Sequence, residues 1–181
     1  MSDHTKFIWT DGTSDEISLT KIDDNFTAKY GRQKADLKEL IIGKDVRSIE
    51  ANAFKMCKNL EKVDMSPSVE KISVFAFAWC EKLTEIDLPE GLDTISISAF
   101  TFCTSLKKIR IPDSVTLIDD EAFSYCTDLE EIVLPKHLNC IYVSAFINCK
   151  SVEHLTIPAS TETIDGLAFA NCVGLRTLEF E

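Results

Sequence analysis

Cysteine and histidine are the residues of this 181-residue sequence best suited to metal binding, redox exchange or nucleophilic attack, and there are seven of the first and three of the second. Six of the cysteines, Cys57, Cys80, Cys103, Cys126, Cys149 and Cys172, are spaced 23 residues apart. That spacing contains no Cys-x-x-Cys and no local Cys/His pair, so it offers no zinc-type ligand set. His4 lies in the N-terminal segment, His137 follows Pro135 in a turn, and His154 falls on a strand; none has a neighbour that would orient it as a base. There is no phosphate-cradling glycine loop and no Gly-x-Ser-x-Gly elbow. One carboxylate pair, Asp64 with Asp87, is brought together by the repeat described next, and two solvated carboxylates near Arg110 are the plainer account of it. No catalytic residue, metal site or cofactor-binding motif is read from these residues.

The spacing of the cysteines belongs to the whole chain. Units begin at Leu37, Leu60, Leu83, Leu106, Leu129 and Val152, each 23 residues after the last, and Leu175 opens a seven-residue stub. Position four (Leu40, Val63, Ile86, Ile109, Ile132, Leu155) and position six (Ile42, Met65, Leu88, Ile111, Leu134, Ile157) are apolar and separated by polar residues, the period of a half-buried strand. Pro89, Pro112, Pro135 and Pro158 end that strand, since proline lacks the donor that would continue a ladder. Position ten (Val46, Val69, Leu92, Val115, Leu138) and position thirteen (Ile49, Ile72, Ile95, Ile118, Ile141, Ile164) point inward along a second short extended stretch. An Ala-Phe-x-x-Cys segment then returns the chain, and its spacing predicts one or two turns of short helix facing the core.

A 23-residue coil cannot bury its apolar positions alone, whereas stacked coils align them into one column. The predicted fold is a repeat solenoid with parallel strands about 4.8 Å apart, seven of them spanning about 30 Å. In such a stack the six cysteines form a ladder of parallel inward side chains, near enough for disulfides but wrongly oriented for them, and read as buried thiols packing as small apolar groups. Cys140 stands outside that column and is the expected exposed thiol. Residues 1–36 are expected to cap the array: Asp11-Gly12-Thr13 marks a hairpin, Phe7 or Trp9 should cover the first coil, and residues 14–36 read as a degenerate coil. In that coil Ile17, Leu19 and Phe26 fall on positions four, six and thirteen. Residues 37–174 are the six repeats and 175–181 a partial seventh. The stub carries Leu175, Leu178 and Phe180 on an edge with nothing to cover it, which leaves three readings open: fraying discouraged from pairing by Glu179 and Glu181, end-to-end homodimerisation, or a chain cut from a longer array.

The pattern Leu-x-x-Ile-x-Ile-Pro-x-x-Val-x-x-Ile-x-x-x-Ala-Phe-x-x-Cys resembles the BspA-like class of leucine-rich repeats over residues 37–181. The resemblance implies a right-handed leucine-rich-repeat coil, no catalytic residues, and a binding or adhesion module of the kind many microbes display on their surface. It also implies the strand face as the usual ligand surface. Gly43 and Ser66, standing where later units have proline, are departures from the pattern.

Charge narrows the partners. A formal net charge of −11 opposes binding to nucleic acid, and no apolar run approaches the ~20 residues of a membrane span. A protein or peptide remains. The N-terminus lacks the basic and apolar regions of a secretory signal, and with the reduced cysteines this predicts a cytoplasmic location; the resemblance points instead to the cell surface. Binding should use variable columns. Position three (Glu39, Lys62, Glu85, Lys108, Glu131, His154) alternates in sign and reads as a register-fixing charge ladder, whereas position five (Ile41, Asp64, Asp87, Arg110, Val133) is irregular, as a surface for a particular partner would be. The residue before each cysteine is large and apolar in four consecutive units: Met56, Trp79, Phe102 and Tyr125, with Phe75 four residues before Trp79. This aromatic edge either shields the return segments or forms an exposed interaction stripe.

Overall fold

The structure, a computed structural model, describes residues 3–181. Strands are numbered in chain order. The first ladder contains β1 (Thr5–Trp9), β2 (Ser14–Ile17), β4 (Leu37–Ile41), β6 (Lys62–Asp64), β8 (Glu85–Ile86), β10 (Lys108–Arg110) and β12 (Glu131–Val133). The second contains seven two-residue strands, β3 (Lys21–Ile22), β5 (Ser48–Ile49), β7 (Lys71–Ile72), β9 (Thr94–Ile95), β11 (Leu117–Ile118), β13 (Cys140–Ile141) and β15 (Thr163–Ile164). In both, successive repeat coils pair in parallel with a shift of one 23-residue unit, as in Val63↔Ile86 and Ile72↔Ile95. The chain is a β-solenoid with side chains packed along its axis. The first ladder departs from the expected seven repeat strands: it takes five from the repeats, while β14 (His154–Ile157) and β16 (Thr177–Phe180) pair with each other in a separate sheet.

Between the ladders, the carbonyl at position seven accepts the N–H of position ten in each coil, as in Leu92 to Pro89 (3.0 Å) and Val115 to Pro112 (3.0 Å). Proline suits this place because only its carbonyl is needed. Gly43 breaks the column for a reason on the N-terminal side. Its N–H donates to Thr5 Oγ1 (3.1 Å), which proline could not do, and a Cβ there would lie 2.7 Å from the carbonyl carbon of His4.

The return segment is a succession of turns, not the short helix that its spacing predicts. Positions seventeen, nineteen and twenty-one donate backward within the coil, as Ala53 to Glu50, Lys55 to Asn52 and Cys57 to Phe54. Positions sixteen, eighteen and twenty donate to the next coil, as Asn52 to Val74 (3.0 Å), Phe54 to Ala76 (2.7 Å) and Met56 to Ala78 (2.8 Å). Sharing donors this way requires the chain to alternate direction, and positions sixteen and twenty adopt the left-handed conformation in all six coils, from Asn52 (φ 59) and Met56 (φ 64) to Leu167 (φ 63) and Asn171 (φ 58). Helix-period spacing thus served a third inter-coil ladder. Ala, Phe and Cys between the left-handed residues point into the core.

The core follows from those inward columns. Phe54, Phe77, Phe100, Phe123 and Phe146 are fully buried and stack face to face, with centroids 5.3 Å apart and planes within 5° from Phe77 to Phe146. Cys57, Cys80, Cys103, Cys126 and Cys149 are buried, and Cys172 is half-buried; all seven cysteines are free thiols. Each thiol from Cys80 onward donates to the phenylalanine carbonyl of the preceding coil, as Cys103 to Phe77 and Cys126 to Phe100, both at 3.3 Å. Burial pushes these thiols up, Cys103 to about 12, so they stay protonated and keep donating. Cys140 is half-buried in β13, not openly exposed.

The cap differs in register from the degenerate coil read in the sequence. β1 lies beside β4, antiparallel, with Phe7 opposite Leu40, so Phe7 and not Ile17 continues the position-four column. Ile17 is displaced one strand outward in β2, and Ile22, not Phe26, pairs with Ile49 in the position-thirteen column. Phe26 instead packs under Phe54, centroids 5.0 Å apart and rings tilted at 54°, at the end of the phenylalanine column. The hairpin gives the reason: an inserted antiparallel strand fills the slot a repeat strand would use, and the following residues shift to stay in the core. Phe7 and Trp9 are both fully buried. Gly12 (φ 83) makes the turn between them and β2, and Arg32 clamps it by donating to Asp11 and Thr13.

Candidate protein-binding surface

The position-twenty column forms a second aromatic stack outside the core. Trp79 and Phe102 lie 5.4 Å apart with planes at 7°, and Phe102 and Tyr125 lie 4.4 Å apart at 8°. Phe75 joins Trp79 at 6.2 Å, and the Lys55 ammonium sits 4.6 Å from the Phe75 ring centre and 5.3 Å from that of Trp79. The rings cover one another's faces and present their edges outward. Met56 is 51% exposed and Tyr125 39%, while Phe75, Trp79 and Phe102 are half-buried.

All five of these residues have left-handed backbone: Met56, Phe75, Trp79, Phe102 and Tyr125 lie between φ 56 and φ 64. For a bulky L-residue that conformation is an outlier costing ~1–2 kcal/mol, and asparagine tolerates it best. Asn148 and Asn171 occupy the position of Met56, Trp79, Phe102 and Tyr125 in the last two coils. The ring stack offsets part of that cost, since each stacked pair contributes ~0.5–1.5 kcal/mol beyond its burial.

Position fifteen adds residues that sequence reasoning missed. Ile97 and Val143 are 40% and 44% exposed on the same edge, and Val74 is half-buried there. Their backbone touches the aromatic column, since Phe75 N–H donates to Ile97 O at 3.1 Å. A repeating Val/Ile at position fifteen, outside the inward columns, was the signal available. Asp120 and Glu121 interrupt the apolar edge in the fourth coil.

On the strand face, position five is where the repeat places it. Ile41 pairs in register with Asp64, and Arg110 with Val133; Asp64, Asp87, Arg110 and Val133 are exposed and Ile41 is half-buried. Arg110 turns from Asp87 to Glu90, 3.2 Å away. The neighbouring position-three residues stand in register from Glu39 to Glu131, and one pair closes, Lys108 with Glu131 at 2.8 Å. Further ion pairs join residues one coil apart, among them Lys38–Glu61, Arg47–Glu70, Lys58–Glu81 and Arg176–Glu153. These exposed pairs fix register more than they stabilise. At the C-terminal side, Leu178 and Phe180 are 42% and 67% exposed on β16 and Val173 is 79% exposed, while Leu175 is half-buried against the core.

Among the described residues no group of three or more His, Cys, Asp or Glu is placed to hold a metal ion, and no helix is long and apolar enough to cross a membrane. His137 and His154 are exposed, and His4 bonds Ser18 Oγ at 2.7 Å.

Two parallel ladders, a 23-residue period and a continuous phenylalanine column define a leucine-rich-repeat solenoid. The chain belongs to the BspA type Leucine rich repeat family, whose profile matches residues 47–176 in six copies. A leucine-rich repeat protein from Bacteroides ovatus ATCC 8483 is 31% identical, over 92% of this chain and 42% of its own, with a TM-score of 0.81. A leucine rich cell surface protein from Faecalibacterium prausnitzii A2-165 is 25% identical over 99% of this chain and 53% of its own (TM-score 0.78). The T. pallidum leucine-rich repeat protein is 31% identical over 78% of this chain and 68% of its own (TM-score 0.75). The chain thus spans about half the length of the first two. No curated protein matches it.

Proposed function

We propose that this chain is a non-enzymatic protein-binding module whose aromatic edge takes an apolar segment of a partner protein. One observation carries the reading: four large apolar residues, Met56, Trp79, Phe102 and Tyr125, occupy the left-handed position where the last two coils have asparagine, so the edge keeps side chains its backbone disfavours. Strain retained at one surface is a mark of function. Stacking leaves ring edges and the flanking Ile97 and Val143 as the contact area, which suits aliphatic and aromatic side chains of a protein. Position five of the strand face is the secondary surface. The F. prausnitzii relative is a cell surface protein, and an adhesion-type role on a surface fits the same reading. Cysteine content does not decide the compartment, because buried, hydrogen-bonded thiols resist oxidation wherever the fold is placed.

The test replaces Trp79 and Tyr125 together by Asn and, separately, Arg110 and Val133 by Ala, then measures capture of surface or lysate proteins by each immobilised variant. Loss confined to the edge variant, with the chain still folded by far-UV circular dichroism, supports the reading. Loss confined to the strand-face variant moves the site there.

A second reading has its own observation. β16 is paired on one side by β14 and carries the exposed Leu178 and Phe180, an edge that a second copy could extend. Light scattering across a concentration series tests it: a dimer lost on Phe180→Lys supports self-association, and a monomer throughout discards it.

A further inference from the structure

The cap contains a cavity that the protein-binding reading does not use. It has a volume of about 170 Å³ and opens at the N-terminal end of the solenoid, where the inserted hairpin leaves the end of the core incompletely covered. Phe7, Ile22 and Phe26, all buried, line its interior, and the Tyr30 ring, tilted 5.9 Å from Phe7, is also part of the wall. Ile17 and Leu19, the residues displaced from the core columns, line it too and are half-buried.

Two features distinguish it from a packing gap. The Tyr30 hydroxyl is buried with no hydrogen-bond partner, and burial holds the phenol protonated, so a donor goes unused in the wall. Lys21 and Lys29 also line the cavity, are exposed, and make no ion pair among the described residues. The one acid in the cavity lining, Asp23, accepts the Asn25 N–H at 2.9 Å. The Lys29 ammonium lies over the Tyr30 ring, 5.9 Å from its centre, at the cavity wall. In a chain of net charge −11, two lysines outside any ion pair beside an apolar cavity make a local site for an anion with an apolar body.

We propose that this cavity binds a small hydrophobic carboxylic acid, one aromatic ring or a branched aliphatic chain in size, with its carboxylate held by Lys21 and Lys29. The volume sets the size, since an apolar cavity of about 150 Å³ accommodates a benzene ring. The lysines select the anion over its neutral isostere.

Phenylacetate is the probe, titrated into the intact chain by heteronuclear NMR and calorimetry with phenylacetamide alongside. Saturable shifts in the cap residues are expected, with phenylacetate bound more tightly than the amide. Lys21→Ala with Lys29→Ala should weaken phenylacetate ~3- to 10-fold, the factor two exposed ion pairs supply, and leave phenylacetamide unchanged. Leu19→Trp, which fills the mouth, should abolish both while the remaining spectrum stays that of the folded chain. No saturable binding, equal affinity for acid and amide, or binding that survives Leu19→Trp in the folded protein would each overturn the proposal.

Discussion

Replacing Phe102 tests the physical account of the aromatic edge most directly. Phe102 stacks on Trp79 at 5.4 Å and on Tyr125 at 4.4 Å, and its backbone is left-handed at φ 58. Phe102→Ala and Phe102→Asn both remove the ring, forfeiting two stacked pairs worth ~1–3 kcal/mol together, plus the half-buried area of the side chain. They differ in the backbone. Alanine keeps a Cβ in a conformation that costs an L-residue ~1–2 kcal/mol, whereas asparagine recovers part of that cost through local hydrogen bonding. The asparagine variant is therefore expected to be more stable than the alanine variant by ~0.5–1 kcal/mol, although asparagine is the more polar residue. Phe102→Gly should also exceed alanine. Urea unfolding followed by far-UV circular dichroism reads the difference as a midpoint shift of ~0.3–0.5 M at an m-value near ~2 kcal/mol/M. An alanine variant as stable as the asparagine variant would refute the claim that these positions are conformationally costly, and with it the argument from retained strain.

Four further outcomes are expected. Phe123→Ala empties a fully buried site between two rings at 5.3 Å and should cost ~3–5 kcal/mol in the same unfolding assay; an unchanged midpoint would contradict a continuous phenylalanine core. Gly43→Ala drives a Cβ to within 2.7 Å of the His4 backbone, and Gly43→Pro also removes the N–H bound by Thr5, so both should detach the hairpin and increase the fluorescence exposure of Trp9, proline more than alanine. The buried thiols set an alkaline limit. Cys57 and Cys103 are pushed up to about 12 by burial, while the unfolded thiols titrate near 9, so above that pH the unfolded state binds fewer protons and stability falls as pH rises toward 12. Each such thiol contributes up to ~1.4 kcal/mol per pH unit across that window. At neutral pH a thiol reagent should label Cys140 and Cys172 and spare the other five until the chain unfolds.

The sequence by itself determined the solenoid. A period of 23 residues without insertion obliges each coil to place the same side chains in the same columns, and apolar columns that one coil cannot bury force stacking. The strands, the proline turns, the phenylalanine core and the thiol column were all legible for that reason. The candidate edge was legible as a column of large residues at Met56, Trp79, Phe102 and Tyr125. Its backbone was not. Three-residue spacing of Phe and Cys fits a helix and a left-handed turn ladder equally well, and only the neighbouring coil, by accepting every second N–H, selects the ladder. Asn52, Asn148 and Asn171 in the same columns were the local trace of that choice. Tertiary structure alone settled the cap, because a hairpin strand competes with a repeat strand for one slot beside β4, and the winner shifts every core residue behind it. Phe7 thereby took the place read for Ile17, Ile22 that read for Phe26, and Gly43 became necessary where a proline would have blocked the contact.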